Sequence, residues 1–147
     1  MIAIGSDHAA FSLKEEIKAY VSSQGYELKD YGTFSSEPVD FCDVGIAVAE
    51  AVARGDCEKG LLFCGTGVGM SISANKVKGV RAVVCTEPYS AKLSREHNDT
   101  NVLCLGGRVL GPELAKMIVD IWLRTAFEGG RHARRMAKIA SYESERG

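Results

Sequence analysis

Residues 60–71 run Gly60-Leu61-Leu62-Phe63-Cys64-Gly65-Thr66-Gly67-Val68-Gly69-Met70-Ser71. The apolar run Leu61–Phe63 ends at Cys64, three alternate glycines follow, and a helix-like stretch occupies Met70 to Lys78. The segment reads as a strand, a tight backbone turn and a helix start. Such a turn aims backbone N–H groups at whatever sits above it, and the helix dipole favours negative charge there. A cysteine at the strand end, facing that positive pole, is favoured as a thiolate. The segment therefore offers a base or nucleophile beside a preformed anion site. It is not a Walker-type phosphate loop, because no Gly-Lys-Ser/Thr closes it. Nor is it a dinucleotide fingerprint, because Met70 occupies the place of the third glycine. The plainer readings are close helix–sheet packing for the glycines and a small core hydrophobe for Cys64.

Working outward, apolar β-type runs and helical stretches alternate along the chain. Strands are expected at Ile2-Ala3-Ile4-Gly5, Tyr26 to Asp30, Leu61 to Cys64, Arg81 to Cys85 and Val102 to Leu105. Helices are expected from Phe11 to about Gln24, over Val44 to Val52, near 69–78, from Pro88 to Glu96, over 112–127 and from Arg131 to about Glu145. Gly25 and Gly55 stop the first two, and Pro112 suits a first helical turn. Alternation of this kind implies an α/β fold: a three-layer sandwich with a five-stranded parallel sheet and helices on both faces. The central strands are nearly all apolar, as a sheet covered on both sides requires.

With 147 residues the chain fits a single domain, 1–147, with a sizeable core. Hydrophobic residues make up 46% and charged residues 25%, at a net charge of −1, so composition points to neither nucleic acid nor a membrane surface as partner. No apolar run approaches a membrane span, and the start Met-Ile-Ala-Ile-Gly lacks the pattern of a signal peptide. The five cysteines, Cys42, Cys57, Cys64, Cys85 and Cys104, are odd in number and lack close pairs. They read as reduced thiols in a cytoplasm rather than a disulfide framework or a zinc site.

In open parallel sheets ligands bind beyond the carboxyl ends of the strands. That rule gathers Asp7-His8, the Cys64–Gly69 loop, Thr86-Glu87 and Gly106-Gly107-Arg108 on one edge, with the polar segment Arg95-Glu96-His97-Asn98-Asp99 counted among the strand-end pieces. Each is weak alone. Asp7 and His8 suit a helix cap, His97-Asn98-Asp99 a polar turn after a helix, Arg108 a solvated cation, and Arg131, His132, Arg134 and Arg135 an exposed helical face.

Taken together, these pieces resemble the type B ribose-5-phosphate isomerases, a family that also contains galactose-6-phosphate isomerase subunits. The matching residues include Gly5-Ser6-Asp7-His8-Ala9, Gly32-Thr33, Cys64 to Gly69, Ala74-Asn75-Lys76, Glu87-Pro88-Tyr89, Ser94 to Asn101 and Glu128 to His132, so the likeness covers essentially the whole chain. One departure is plain: the family commonly has an aromatic hydroxyl and a proline where this chain has Phe41-Cys42.

The resemblance implies an aldose–ketose isomerase working through a cis-enediolate, in the non-oxidative pentose phosphate pathway, with no cofactor and no metal. It implies Cys64 as the base, Thr66 as a proton relay between O1 and O2, and His97 as the ring-opening group. Gly65, Gly67, Val68 and Gly69 would supply backbone donors to the oxyanion, with Asn98. Asp7 would bind sugar hydroxyls. His8, Arg108, Arg131 and Arg135 would hold the phosphate, and the spacing of Arg131 and Arg135 puts them on one helix face. It further implies that the C-terminal helix extends to a partner subunit, making the protein a homodimer or a tetramer. Two rival readings stay open: an isomerase of a six-carbon phosphate such as allose or galactose 6-phosphate, and a non-catalytic phosphate- or nucleotide-binding module.

Overall fold

The computed structural model describes residues 1–146. Its elements are β1 (Ile2–Ser6), α1 (Phe11–Ser23), β2 (Leu28–Asp30), α2 (Phe41–Ala53), β3 (Lys59–Cys64), α3 (Val68–Asn75), β4 (Ala82–Val84), α4 (Pro88–Asn98), β5 (Val102–Gly106), α5 (Pro112–Arg124) and α6 (Arg131–Glu145). The strands form one parallel sheet in the order β2-β1-β3-β5-β4. The expected α/β sandwich is present, with every expected strand and helix.

Alternating side chains of each strand feed two cores. Ile2, Ile4, Leu61, Phe63, Leu103 and Leu105 pack with α1, α4 and α5 around the fully buried Trp122. Ala3, Leu62, Cys64, Val102 and Cys104 pack with α2 and α3 around Met70. Right-handed crossovers explain the split. The chain steps one way across the sheet from β1 to β2 and from β4 to β5, which puts α1 and α4 on one face. It steps the other way from β2 to β3 and on to β4, which puts α2 and α3 on the opposite face.

Consequently the helices that leave β1 and β3 diverge to opposite faces, opening a crevice above the carboxyl ends of these neighbours. This topological switch point is where an open α/β sheet offers a ligand site. Asp7-His8 and the Cys64 loop border it.

Candidate active site

The Cys64 loop is shaped by two glycines. Gly67 has φ +84°, and a Cβ there would lie 2.9 Å from Val84 Cγ2 and 3.0 Å from the Leu105 carbonyl carbon. Gly106 sits so close to Thr66 that a Cβ would meet its backbone at 2.8 Å. The turn is thereby pressed onto the end of β5. Gly107 N–H donates to the Cys64 carbonyl at 2.8 Å and Arg108 N–H to the Gly65 carbonyl at 3.0 Å. The Arg108 guanidinium lies across Gly65, with Nη1 3.5 Å from where a Cβ would stand.

Cys64 is 5% exposed, and the Gly67 N–H donates to its Sγ at 3.2 Å. A backbone donor at the start of α3 interacts more strongly with an anionic sulfur than with a thiol. Val68 N–H donates to Thr66 Oγ1 at 3.3 Å. Two of the loop donors expected to face an oxyanion thus serve the loop's own side chains.

From β1, Asp7 N–H donates to the Phe63 carbonyl at 3.1 Å, which ties the two loops together. Asp7 Oδ1 accepts the Ala10 N–H at 3.1 Å, so one oxygen does cap the approach to α1. His8 Nδ1 accepts the Val39 N–H at 3.1 Å. An imidazole that accepts at Nδ1 keeps Nε2 as its hydrogen-bond donor. The Phe41 ring covers Gly69, where a Cβ would lie 2.7 Å from its Cε2. This edge therefore carries Asp7, His8, Cys64 to Gly69 and Arg108.

The structure separates the remaining expected residues from these. His97 and Asn98 are not on a polar turn beside the Cys64 loop; they form the last turn of α4, closed by Asp99 at φ 47°. A helix that leaves the carboxyl end of β4 must return the chain to the amino end of β5. The backbone marks this position: Asn101 N–H donates to the Arg81 carbonyl at 3.0 Å and Gly60 N–H to the Asn101 carbonyl at 2.9 Å, at the starts of β4, β5 and β3. Cys64 lies at the far end of β3, and a strand of this length spans roughly 16 Å.

At that opposite edge α6 docks on the end of α4. His97 and His132 stack with ring centroids 4.1 Å apart and planes 12° from parallel. Asn98 Nδ2 approaches Met136 Sδ at 3.8 Å. Glu128 N–H donates to the Glu96 carbonyl at 3.1 Å, and its Oε1 lies 3.5 Å from His132 Nε2 and 4.0 Å from His97 Nε2. Arg131 and Arg135 are exposed on α6. Among the described residues, neither they nor Arg108 form an ion pair.

Sequence reasoning missed Glu128 and His132 as parts of a site. His132 does not belong to an exposed face: it is 6% exposed and turned inward. The signal was available in the spacing, since Glu128 and His132 share a helical interval and follow His97 in a chain with three histidines.

The chain matches the model of the Ribose/Galactose Isomerase family over residues 2–139. It is 57% identical over 145 residues to Ribose-5-phosphate isomerase B of Escherichia coli (strain K12), covering 99% of this chain and 97% of that one. It superposes on Clostridium thermocellum Ribose-5-Phosphate Isomerase B with a TM-score of 0.98 at 53% identity, covering 99% of each chain. The Ribose-5-phosphate Isomerase B of Mycoplasma genitalium, solved with bound ribulose-5-phosphate, gives 0.94 at 40% identity, over 98% of this chain and 96% of that one. A resemblance built on the cysteine loop and the histidine–asparagine turn is thus matched across nearly the whole length: the chain belongs to the ribose/galactose isomerase family.

Proposed function

We infer that the protein interconverts ribose 5-phosphate and ribulose 5-phosphate, and that its complete site is assembled from two copies of the chain. The observation that carries the second half is the division of site residues between opposite sheet edges. One edge holds a cysteine against backbone donors but lacks His97, Asn98 and the paired arginines. The other holds those groups but lacks the cysteine. In a two-fold dimer one contact repeats twice, so each copy's Cys64 edge can meet the other's α4–α6 edge.

In such a site the chemistry divides by edge. The sugar arrives as a furanose. Opening breaks the C1–O4 bond: O4 gains a proton and the C1 hydroxyl loses one. The partner copy's His97 exchanges these protons, which suits an imidazole. The Cys64 thiolate then removes the C2 proton, and the carbonyl electrons move onto O1 to give a cis-enediolate. Backbone donors of the loop, with Asn98 from the partner copy, stabilise the oxyanion. Thr66 moves the hydroxyl proton from O2 to O1, and the thiol returns its proton to C1. Asp7, with the carboxylate oxygen left free by the Ala10 contact, takes sugar hydroxyls. Arg108 from one copy and Arg131 and Arg135 from the other clamp the phosphate, with His8 Nε2–H as a further donor. Phe41 brings no hydroxyl to this mouth, only a ring over Gly69.

The direct test is a coupled assay of ribulose 5-phosphate formation in the presence of a chelator, run beside allose 6-phosphate and galactose 6-phosphate. Turnover of ribose 5-phosphate with a kcat/KM at least about tenfold above either six-carbon sugar is expected, a discrimination of little more than 1 kcal/mol. Preference for a six-carbon sugar would overturn the substrate assignment. Nucleotide binding without any turnover would overturn the enzyme reading.

A further inference from the structure

The cluster of His97, Glu128 and His132 contains two groups, Glu128 and His132, that take no part in the proton transfers of the isomerisation. The two imidazole nitrogens and the carboxylate oxygen lie within 4.8 Å of one another. A metal is a poor fit. Imidazole coordinates along a lone pair in the ring plane, and two rings only 12° from parallel send their lone pairs side by side instead of toward a common point. What the arrangement does suit is one ring holding another.

His132 is the fixed member. It is buried, its Nε2 has no hydrogen-bond partner, and its backbone N–H donates to the Gly129 carbonyl at 3.1 Å. His97 is the accessible member, with 38% of its side chain exposed against 8% for His132. The Glu128–Glu96 backbone bond clamps the two turns together from the connecting segment. An accessible histidine on a terminal helix turn has several rotamers open to it. A flat, buried ring at stacking distance removes that freedom without blocking the polar edge.

We propose that His132 is a positioning residue for ring opening: its imidazole is the plate against which His97 is held in the orientation that meets the sugar. The proposal rests on the reading of His97 as the ring-opening group. The charges around the plate agree with it. Burial first, then His97 on α4 and Arg131 and Arg135 on its own helix, hold His132 below the ordinary histidine range, with Glu128 opposing. These surroundings disfavour a charge on the plate.

The test separates ring chemistry from proton transfer at carbon. Ribulose 5-phosphate has no free 5-hydroxyl and forms no furanose, so deuterium uptake at its C1 in heavy water reads enolisation alone. We compare this exchange with net isomerisation of ribose 5-phosphate, both at saturating substrate, for the unaltered protein, His132→Ala and His132→Phe. His132→Ala should lose roughly ten- to a hundredfold in isomerisation, as displaced catalytic groups do. Its C1 exchange should stay within about threefold, which also shows the dimer and the Cys64 loop to be intact. His132→Phe, which keeps a flat ring, should recover most of the isomerisation. Parallel loss of both activities in His132→Ala, loss of neither, or a Phe variant as impaired as the Ala variant would each overturn the proposal. If the unaltered protein neither exchanged deuterium nor converted ribose 5-phosphate, the isomerase reading would fall, and the proposal with it.

Discussion

Two of the buried thiols are raised by their surroundings. Cys104 is fully enclosed and its thiol is pushed well above the usual range by burial, with Cys64 and Cys85 adding to the shift. Cys85 is pushed up to about 11, again by burial and then by Glu87. Neither supplies a thiolate near neutral pH, and the backbone donor at 3.2 Å is on the Cys64 sulfur. Replacing Cys64 by alanine should therefore lower kcat on the order of a thousandfold, with the folded far-UV spectrum and substrate binding retained. Activity within tenfold of the original would remove Cys64 from the base position. A thiol alkylator should inactivate at a rate that substrate slows, with mass spectrometry placing the adduct on Cys64. Gly67 makes a second residue-scale test. Its φ of +84° and the 2.9–3.2 Å clearances around a Cβ leave no room for a methyl group. Gly67→Ala should cost about 1–3 kcal/mol in a denaturant titration and displace the sulfur from its donor. A variant of unchanged midpoint and unchanged kcat would contradict the account of the loop. At this scale the sequence was informative for Cys64, because strand, glycines and helix start are local. It was not informative for His8, whose Nδ1 is engaged by Val39, far along the chain and in a loop.

Among the elements, the boundaries that moved have identifiable causes. α3 ends at Asn75 instead of running to 78, because the Asn75 side chain turns to pair with both backbone groups of Ala82, at 2.8 and 2.9 Å. α4 runs two residues beyond Glu96 because Asp99 closes it in the left-handed region, and a short carboxylate residue tolerates that conformation. β2 holds only Leu28–Asp30 because it is an edge strand paired on one side. Its end is fixed by a contact that no local pattern reveals. Lys14 on α1 is fully buried and donates to both oxygens of Asp30 at 2.9 Å, while Lys18 adds a third bond at 2.9 Å. Lys14 also reaches the Thr33 carbonyl, so the pair anchors the segment that leads to Val39 and His8. Burial disfavours the Asp30 charge, but the hydrogen bonds from Lys14 and Lys18 outweigh it and hold the carboxyl below its ordinary range. A depressed carboxylate stabilises the fold above its unfolded value of about 3.9, and that contribution disappears as pH falls through the lower folded value. Asp30→Asn strands a buried ammonium and should cost roughly 3–5 kcal/mol at neutral pH. Its penalty should begin to shrink below about pH 4, where the unfolded carboxylate protonates, and should be lost once pH falls through the lower folded value. A penalty independent of pH would show that the ion pair is not the anchor.

For the molecule as a whole, alternating strands and helices made the layered α/β fold legible before any coordinates. Strand order was not, because β2-β1-β3-β5-β4 depends on which crossovers turn back, and that is decided by long-range packing. The same gap explains the one misplacement in the site. Counting His97 and Asn98 among strand-end groups ignores that a crossover helix finishes at the edge opposite to where it begins. Once that is recognised, a single chain cannot bring Cys64 to His97, and the central claim becomes that two chains share each site. Complementation tests it most directly. A Cys64→Ala chain and an Arg131→Ala/Arg135→Ala chain are each made inactive, mixed in equal amounts and allowed to exchange subunits. If each site takes its arginines from the neighbour, one site of every mixed dimer carries both defects and the other carries neither. Random pairing should then restore about a quarter of the original activity. If each chain uses its own arginines, every site stays defective, and a mixture that remains inactive after demonstrated exchange would contradict the shared site.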